Sequence, residues 1–241
     1  MICFLTSNPL FLSKERLNPA NRFVDELHRI FPDPVHALFV CSDPNSHERT
    51  DHFAGVNRRA FENSGFEFLS YRVLDGRNAG EAASLVSASD LIILAGGHVP
   101  TQNAFFSQIG LRELLIGHTG VIVGISAGSM NSADVVYVHP EAKGEAVDPA
   151  FRRFAKGLNL TKRMILPHYS DIKDDVLDGL RVFEDIAYPD SVGREFYAIS
   201  DGSYLYVEDG QEELRGESYL IKDGVLSPLS ADGDVLPLGN A

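Results

Sequence analysis

Between Gly120 and Met130 the chain reads Gly-Val-Ile-Val-Gly-Ile-Ser-Ala-Gly-Ser-Met. The β-branched run suits a buried strand, and Gly124-Ile-Ser126-Ala-Gly128 has the G-x-S-x-G spacing of a sharp strand-to-helix turn. Few folds tolerate such a turn, because strand and helix come close enough to exclude side chains at the flanking positions. It would lift the Ser126 hydroxyl above a sheet edge and aim the Ala127 N–H, at a helix N-terminus, toward negative charge forming there. The same five residues also suit an ordinary tight strand–helix connection, so their surroundings must decide between the two.

Short apolar runs alternate with helical periods on either side. Ile2–Thr6 reads as a first strand, followed by a helix with Phe23, Leu27, Ile30 and Phe31 on one face that ends at Pro32-Asp33-Pro34. His36–Cys41 reads as the next strand, then a helix after Ser42-Asp43-Pro44 with Phe53, Val56, Ala60 and Phe61 buried. Phe66–Val73, an Ala-rich helix over 79–87, the strand 90–94 and a helix over 101–116 lead into the Ser126 strand. This alternation predicts one α/β domain over residues 1–241, a doubly wound, mostly parallel sheet with helices on both faces. A further helix is expected over 174–186. Asp201-Gly202, Asp209-Gly210, Asp223-Gly224 and Asp232-Gly233 are hairpin signals, predicting antiparallel strands that extend the sheet edge.

With 21 basic against 34 acidic residues and a formal charge of −13, clustered cations for nucleic acid or anionic membrane are not expected. The N-terminal apolar run is too short for a signal or a membrane span, and Cys3 and Cys41 read as core residues in a reducing compartment, so a cytoplasmic protein is expected. A monomer or homodimer is expected. No spacing of His or Cys resembles a metal-ligand set, and G-x-G-x-x-G is missing, so neither metal nor cofactor is expected.

A serine nucleophile needs a base. His28, His47 and His52 lie on helices among charged residues, His36 and His118 read as structural, and His139 has no supporting feature. His168 follows the apolar Met164-Ile-Leu-Pro167, which sets it at a strand end on the Ser126 edge. This makes it the candidate base, although a strand-end His can also be a hydrogen-bonded core residue. The acid that would orient it is open among Asp134, Glu141, Glu145, Asp148 and Asp171. The loop Ala95-Gly-Gly-His98 closes another strand at the same edge and leaves backbone N–H groups accessible.

Ala95-Gly-Gly-His98, Gly124-Ile-Ser-Ala-Gly-Ser-Met-Asn131 and Pro167-His-Tyr169 together resemble the peptidase E and cyanophycinase family of serine peptidases, family S51. The resemblance implies a class I glutamine amidotransferase-like, flavodoxin-like three-layer fold. It implies Ser126 as nucleophile, His168 as general base, the Gly97 and Ala127 N–H groups as oxyanion hole and His98 as a substrate-binding residue. Its acid, fifteen residues past the nucleophile, falls on Glu141, with Glu145 and Asp171 in reserve. Peptidase E-like members remove N-terminal aspartate from dipeptides. The arginine segment that reads that side chain has no clear counterpart between Tyr169 and Arg181, where Lys173 and Arg181 are the cations. An esterase on the same elbow and a non-catalytic binding protein are the competing readings. Against the esterase, His168 lies far from the C-terminus.

Overall fold

The computed structural model describes residues 1–31 and 34–239. Five parallel strands form the heart of a sheet: β1 (Ile2–Thr6), β2 (Val35–Val40), β3 (Phe68–Leu74), β4 (Leu91–Leu94) and β5 (Val121–Ile125). After β6 (Met164–Leu166) and β7 (Glu195–Ile199), the chain adds β8 (Tyr204–Glu208), β9 (Gln211–Arg215), β10 (Ser218–Lys222), β11 (Val225–Ser230) and β12 (Val235–Leu238). The main sheet runs β12-β9-β8-β1-β5-β4-β2-β3, with β8 antiparallel to β1, and a second sheet runs β6-β7-β10-β11. This is a mixed α/β architecture around a large, mostly parallel sheet.

Alternating side chains put apolar layers on both faces of the main sheet. Leu38, Val40, Ile92, Leu94 and Ile122 meet Leu85 and Val86 of α3 (Ala82–Ser87) and Phe105 and Phe106 of α4 (Val99–Gln108) on one side. On the other, Phe4, Phe39, Ile93 and Val123 meet Phe23 and Leu27 of α1 (Phe23–Ile30) and Phe61 of α2 (His47–Glu62). Each such side chain taken fully out of water contributes about 1.5–3 kcal/mol. A third cluster, with Met130, Tyr137, Leu166, Phe183 and Phe196, fixes the second sheet against α5 (Ala127–Asn131).

Most of the alternation is as expected, with four differences. Phe53, expected in the core, is 41% exposed, because the buried face of α2 runs along Thr50, Ala54, Asn57 and Phe61 and leaves Phe53 on its flank. The helix expected over 101–116 breaks after Gln108, where Gly110 turns left-handed (φ +63°) before a single turn at Leu111–Leu114. The helix expected over 174–186 is instead a hairpin, Val176–Leu177 with Leu180–Arg181, followed by a wide helical turn over Val182–Ala187. Asp178 and Gly179 both adopt positive φ there, and the Asp178 carboxylate accepts the N–H groups of Gly144 and Ala146, which a helix would forbid. The C-terminal strands divide: β8, β9 and β12 extend the main sheet, while β10 and β11 build the second. Pro32 and Asp33, where the first helix was expected to end, lie outside the described residues.

Candidate active site

The C-terminal ends of β1, β4 and β5 meet at one point. Thr6 pairs with Ile125 and Leu94 with Gly124, so the residues that follow all three strands emerge side by side. Ser126 has φ 49° and ψ −109°, a conformation costing on the order of 1–3 kcal/mol that persists only where neighbours enforce it. Its N–H donates to the Thr6 and Ser7 carbonyls, both at 3.1 Å, and Ser129 Oγ donates to Thr6 O at 2.7 Å. α5 also lies so close to β4 that a Cβ on Gly128 would collide with the backbone carbonyl of Leu94. The glycines thus serve close approach, as their spacing suggests.

His168 lies two residues beyond β6 in a left-handed conformation (φ 61°), its N–H held by Ser7 Oγ at 2.8 Å. Its Nε2 lies 2.9 Å from Ser126 Oγ. The structure therefore joins the two side chains that the sequence singled out. Its Nδ1 lies 2.7 Å from Asp201 Oδ1, so Asp201, and not Glu141, occupies the position of the orienting acid. Asp201 sits where the chain crosses from β7 in the second sheet to β8 in the main sheet. β7 runs parallel to β6 with Ala198 opposite Leu166, which brings the turns after the two strands together. Asp201 also accepts hydrogen bonds from Ser7 Oγ (2.6 Å) and Asn8 Nδ2 (3.0 Å).

Electrostatics follow from these contacts. Burial alone would raise the Asp201 carboxyl, but hydrogen bonds from His168, Ser7 and Asn8 outweigh it and hold the pKa below the usual range. Burial alone would likewise lower His168, but its bond to Asp201 and the charges of Asp201, Asp171 and Glu141 carry its pKa above the ordinary value. An ionised Asp201 only accepts, so Nδ1 carries the proton and neutral Nε2 is left to accept from Ser126. Serine, imidazole and carboxylate in series can move a proton off the hydroxyl as it attacks. Ligand atoms of His168, Asp171 and Asp201 lie within 4.8 Å of one another, close enough for a cation, but both His168 nitrogens already face Ser126 and Asp201.

The Gly96-Gly97 loop lies opposite. Gly97 has φ 151°, and a Cβ there would approach Ser42 Cβ to 2.6 Å. Gln102 Nε2 donates to Ala95 O at 2.7 Å and Gln102 Oε1 accepts from Asn131 at 3.0 Å, so one polar network braces this loop against α5. His98 does not touch Ser126: its nitrogens contact Thr101 Oγ1 (2.8 Å) and Glu145 Oε1 (2.7 Å). The second oxygen of Glu145 accepts the N–H groups of Glu141 and Ala142, and those bonds with that of His98 outweigh burial, holding the carboxyl below its usual range. Glu145 is thus engaged away from His168, and Asp171 adds charge near the ring. Burial of the Glu141 carboxyl end pushes its pKa up to about 7, although the residue as a whole remains exposed.

Two cavities open on Ser126. One, about 370 Å³, lies between α2 and the sheet. The other, about 540 Å³, lies on the side of Glu141, His139 and Ile172. His139 is buried and desolvation lowers its pKa to about 4, so it is a neutral wall. Cys3 and Cys41 are buried free thiols, pushed up to about 12 by burial.

The model of peptidase family S51 matches residues 3–215. The chain belongs to this family. Its S51 membership makes it one of a family of serine peptidases. Among solved structures, a peptidase from an acI-B1 Actinobacterium is similar at TM-score 0.63 and 17% identity, covering 98% of this chain and 96% of the other. A Listeria monocytogenes EGD-e protein assigned to peptidase E is similar at TM-score 0.59 and 17% identity, covering 95% and 98%. Comparison with curated proteins finds no match. Among the described residues no helix is long and apolar enough to cross a membrane.

Proposed function

We propose that this S51 chain is a serine exopeptidase hydrolysing short peptides through an acyl-enzyme on Ser126. The observation that carries the reading is the unbroken series from Ser126 Oγ through His168 (2.9 Å) to Asp201 (2.7 Å). Ser126 Oγ attacks the scissile carbonyl and His168 Nε2 takes its proton. The N–H groups of Gly97 and Ala127 receive the oxyanion, and His168 returns the proton to the leaving amine. Water, deprotonated by the same Nε2, then releases the acyl group.

The exopeptidase reading draws on Glu141. It lines the cavity beside Ser126, and among the described residues it forms no ion pair, which suits it to the α-ammonium of a free peptide. The finer reading, a dipeptidase for N-terminal aspartate, needs a cation for the acidic side chain. Lys173 and Arg181 line neither cavity, and Arg181 is held by Asp185 at 2.8 Å. Arg49 lines both cavities, so that specificity would rest on it.

Ser126→Ala tests the reading. Hydrolysis of a dipeptide panel should fall by roughly 10⁶ with the fold intact, and a fluorophosphonate should label the unsubstituted chain at Ser126. Unchanged hydrolysis in the variant overturns the assignment.

A further inference from the structure

Arg49, Gly97, His98, Ser126 and His168 line both cavities, so the two meet at the reacting groups. A scissile amide held over Ser126 sends its acyl residue to one side and its amine residue to the other. Glu141 lines only the larger cavity, of about 540 Å³. The smaller, of about 370 Å³, has an apolar body of Phe39, Phe53, Val56, Ala95 and Ile125 and lies at the lower end of the range for small-ligand pockets, roughly 300–1,000 Å³. Phe39, Ala95 and Ile125 are buried and make its floor, while Phe53 is half exposed at its rim.

Arg49 is exposed in the first turn of α2. Its guanidinium carbon lies over the ring of Phe53, one helical turn on, 5.4 Å from the ring centroid. That contact steadies the side chain and uses none of its N–H donors. Among the described residues the guanidinium forms no ion pair and no hydrogen bond. Asp43 shares the cavity but is held by its own loop, Oδ1 accepting the Asn45 N–H at 3.0 Å and Oδ2 the Ser46 hydroxyl at 2.7 Å. A permanently charged, unpaired fork of donors matches a carboxylate.

The position of Arg49 decides which carboxylate. An acidic side chain entering the smaller cavity would carry its charge to the tip, against Phe39, Ala95 and Ile125, where burial is costly. In the larger cavity the same charge would face Glu141. A C-terminal residue instead carries its carboxylate on Cα, at the mouth, with its side chain on the apolar floor. Resting on the serine-peptidase reading above, we propose that the cavity beside α2 receives the residue on the leaving side of the scissile bond, and that Arg49 binds its free α-carboxylate. The substrate class is a dipeptide held at both ends, its ammonium by Glu141 and its carboxylate by Arg49, with an apolar second residue.

The test compares Ala-Leu with its C-terminal amide, scored by alanine released from the full chain. The free acid should exceed the amide by about 10- to 100-fold in kcat/KM, with the difference carried by KM. Arg49→Met should bring that ratio to about 1, and Arg49→Lys, which keeps the charge without the fork, should restore part of it. Val56→Trp, which fills the cavity, should cost Ala-Leu at least 10-fold more than Ala-Gly. Equal rates for acid and amide, or a ratio that survives Arg49→Met, overturn the proposal. So does an Arg49→Met variant that loses only a preference for Asp-Leu over Ala-Leu, which assigns Arg49 to an acidic first side chain. Fluorophosphonate labelling of Ser126 in the same samples separates the two levels. Labelling with hydrolysis of acid and amide alike discards this subsite and leaves the serine-peptidase reading standing. No hydrolysis of either substrate and no labelling discard both.

Discussion

Ser7 Oγ donates to Asp201 Oδ1 at 2.6 Å while accepting the backbone N–H of His168 at 2.8 Å, so one hydroxyl ties the acid of the series to the main chain of its base. Ser7 is fully buried and directly follows the strand that braces Ser126. Through this residue the positions of Ser126, His168 and Asp201 become one mechanical unit. Ser7→Ala removes the shared hydroxyl and leaves the three side chains in place but less well held. A misplacement approaching 1 Å costs on the order of 10²-fold. Steady-state kinetics should show kcat reduced by roughly 10- to 100-fold with KM little changed. An unaltered kcat would mean that Ser7 positions nothing.

The pH profile should report the His168–Asp201 pair. Only the neutral imidazole accepts a proton, so kcat/KM rises with pH through the His168 pKa, and that limb should lie above 6.5 because the net shift is upward. Asp201→Asn removes the bond and charge that raise it and leaves burial, which lowers it. The limb should therefore move to lower pH while the plateau falls by about 10⁴, as loss of the correct tautomer entails. A plateau that survives Asp201→Asn would point back to another carboxylate.

Gly97→Ala probes the opposite wall. The alanine Cβ would collide with Ser42, and φ 151° is itself unfavourable for a side chain, so the loop must move away from Ser126. If Gly97 N–H receives the oxyanion, kcat falls by about 10²- to 10³-fold, with thermal melting showing that the fold persists. A loss confined to KM would assign the loop to binding alone.

The sequence makes some of these relationships visible and hides others for a physical reason. Ser126 and His168 are legible because each closes a local pattern, a G-x-S-x-G turn or an apolar run ending in Pro167-His168. Asp201 is not, because its Asp-Gly dipeptide reads the same as those at 209, 223 and 232, of which only those at 209 and 223 join strands paired as hairpins, β8 with β9 and β10 with β11. What distinguishes Asp201 is the passage from β7 to β8 between sheets, and the parallel pairing of β7 with β6 that brings its turn to His168. Pairing between distant strands leaves no mark in local periodicity. The same limit hid the cavity beside α2: Phe53 has the spacing of a core residue, but the face that packs runs along Thr50, Ala54, Asn57 and Phe61, and Phe53 lines the cavity instead.

Glu141 offers a prediction with two independent readouts. Its carboxyl is raised from 4.5 to about 7 by burial, so the folded protein binds a proton there more tightly than the unfolded chain. Stability from this group is therefore fully present below 4.5 and is lost as pH rises to about 7, where the buried charge forms. Glu141→Gln cannot ionise, so its melting temperature should exceed that of the parent above pH 7 and converge with it near pH 4. Binding should move the other way. An ammonium held by Glu141 needs the ionised form, so KM for free dipeptides should fall as pH rises through 7, and Glu141→Gln should raise KM at pH 8 by roughly 10-fold or more, the loss of a charge-assisted hydrogen bond. N-acetylated dipeptides carry no ammonium and should show neither effect. If Glu141→Gln instead removed kcat alone for free and acetylated substrates alike, Glu141 would act on the reacting centre and not on the peptide's amino end.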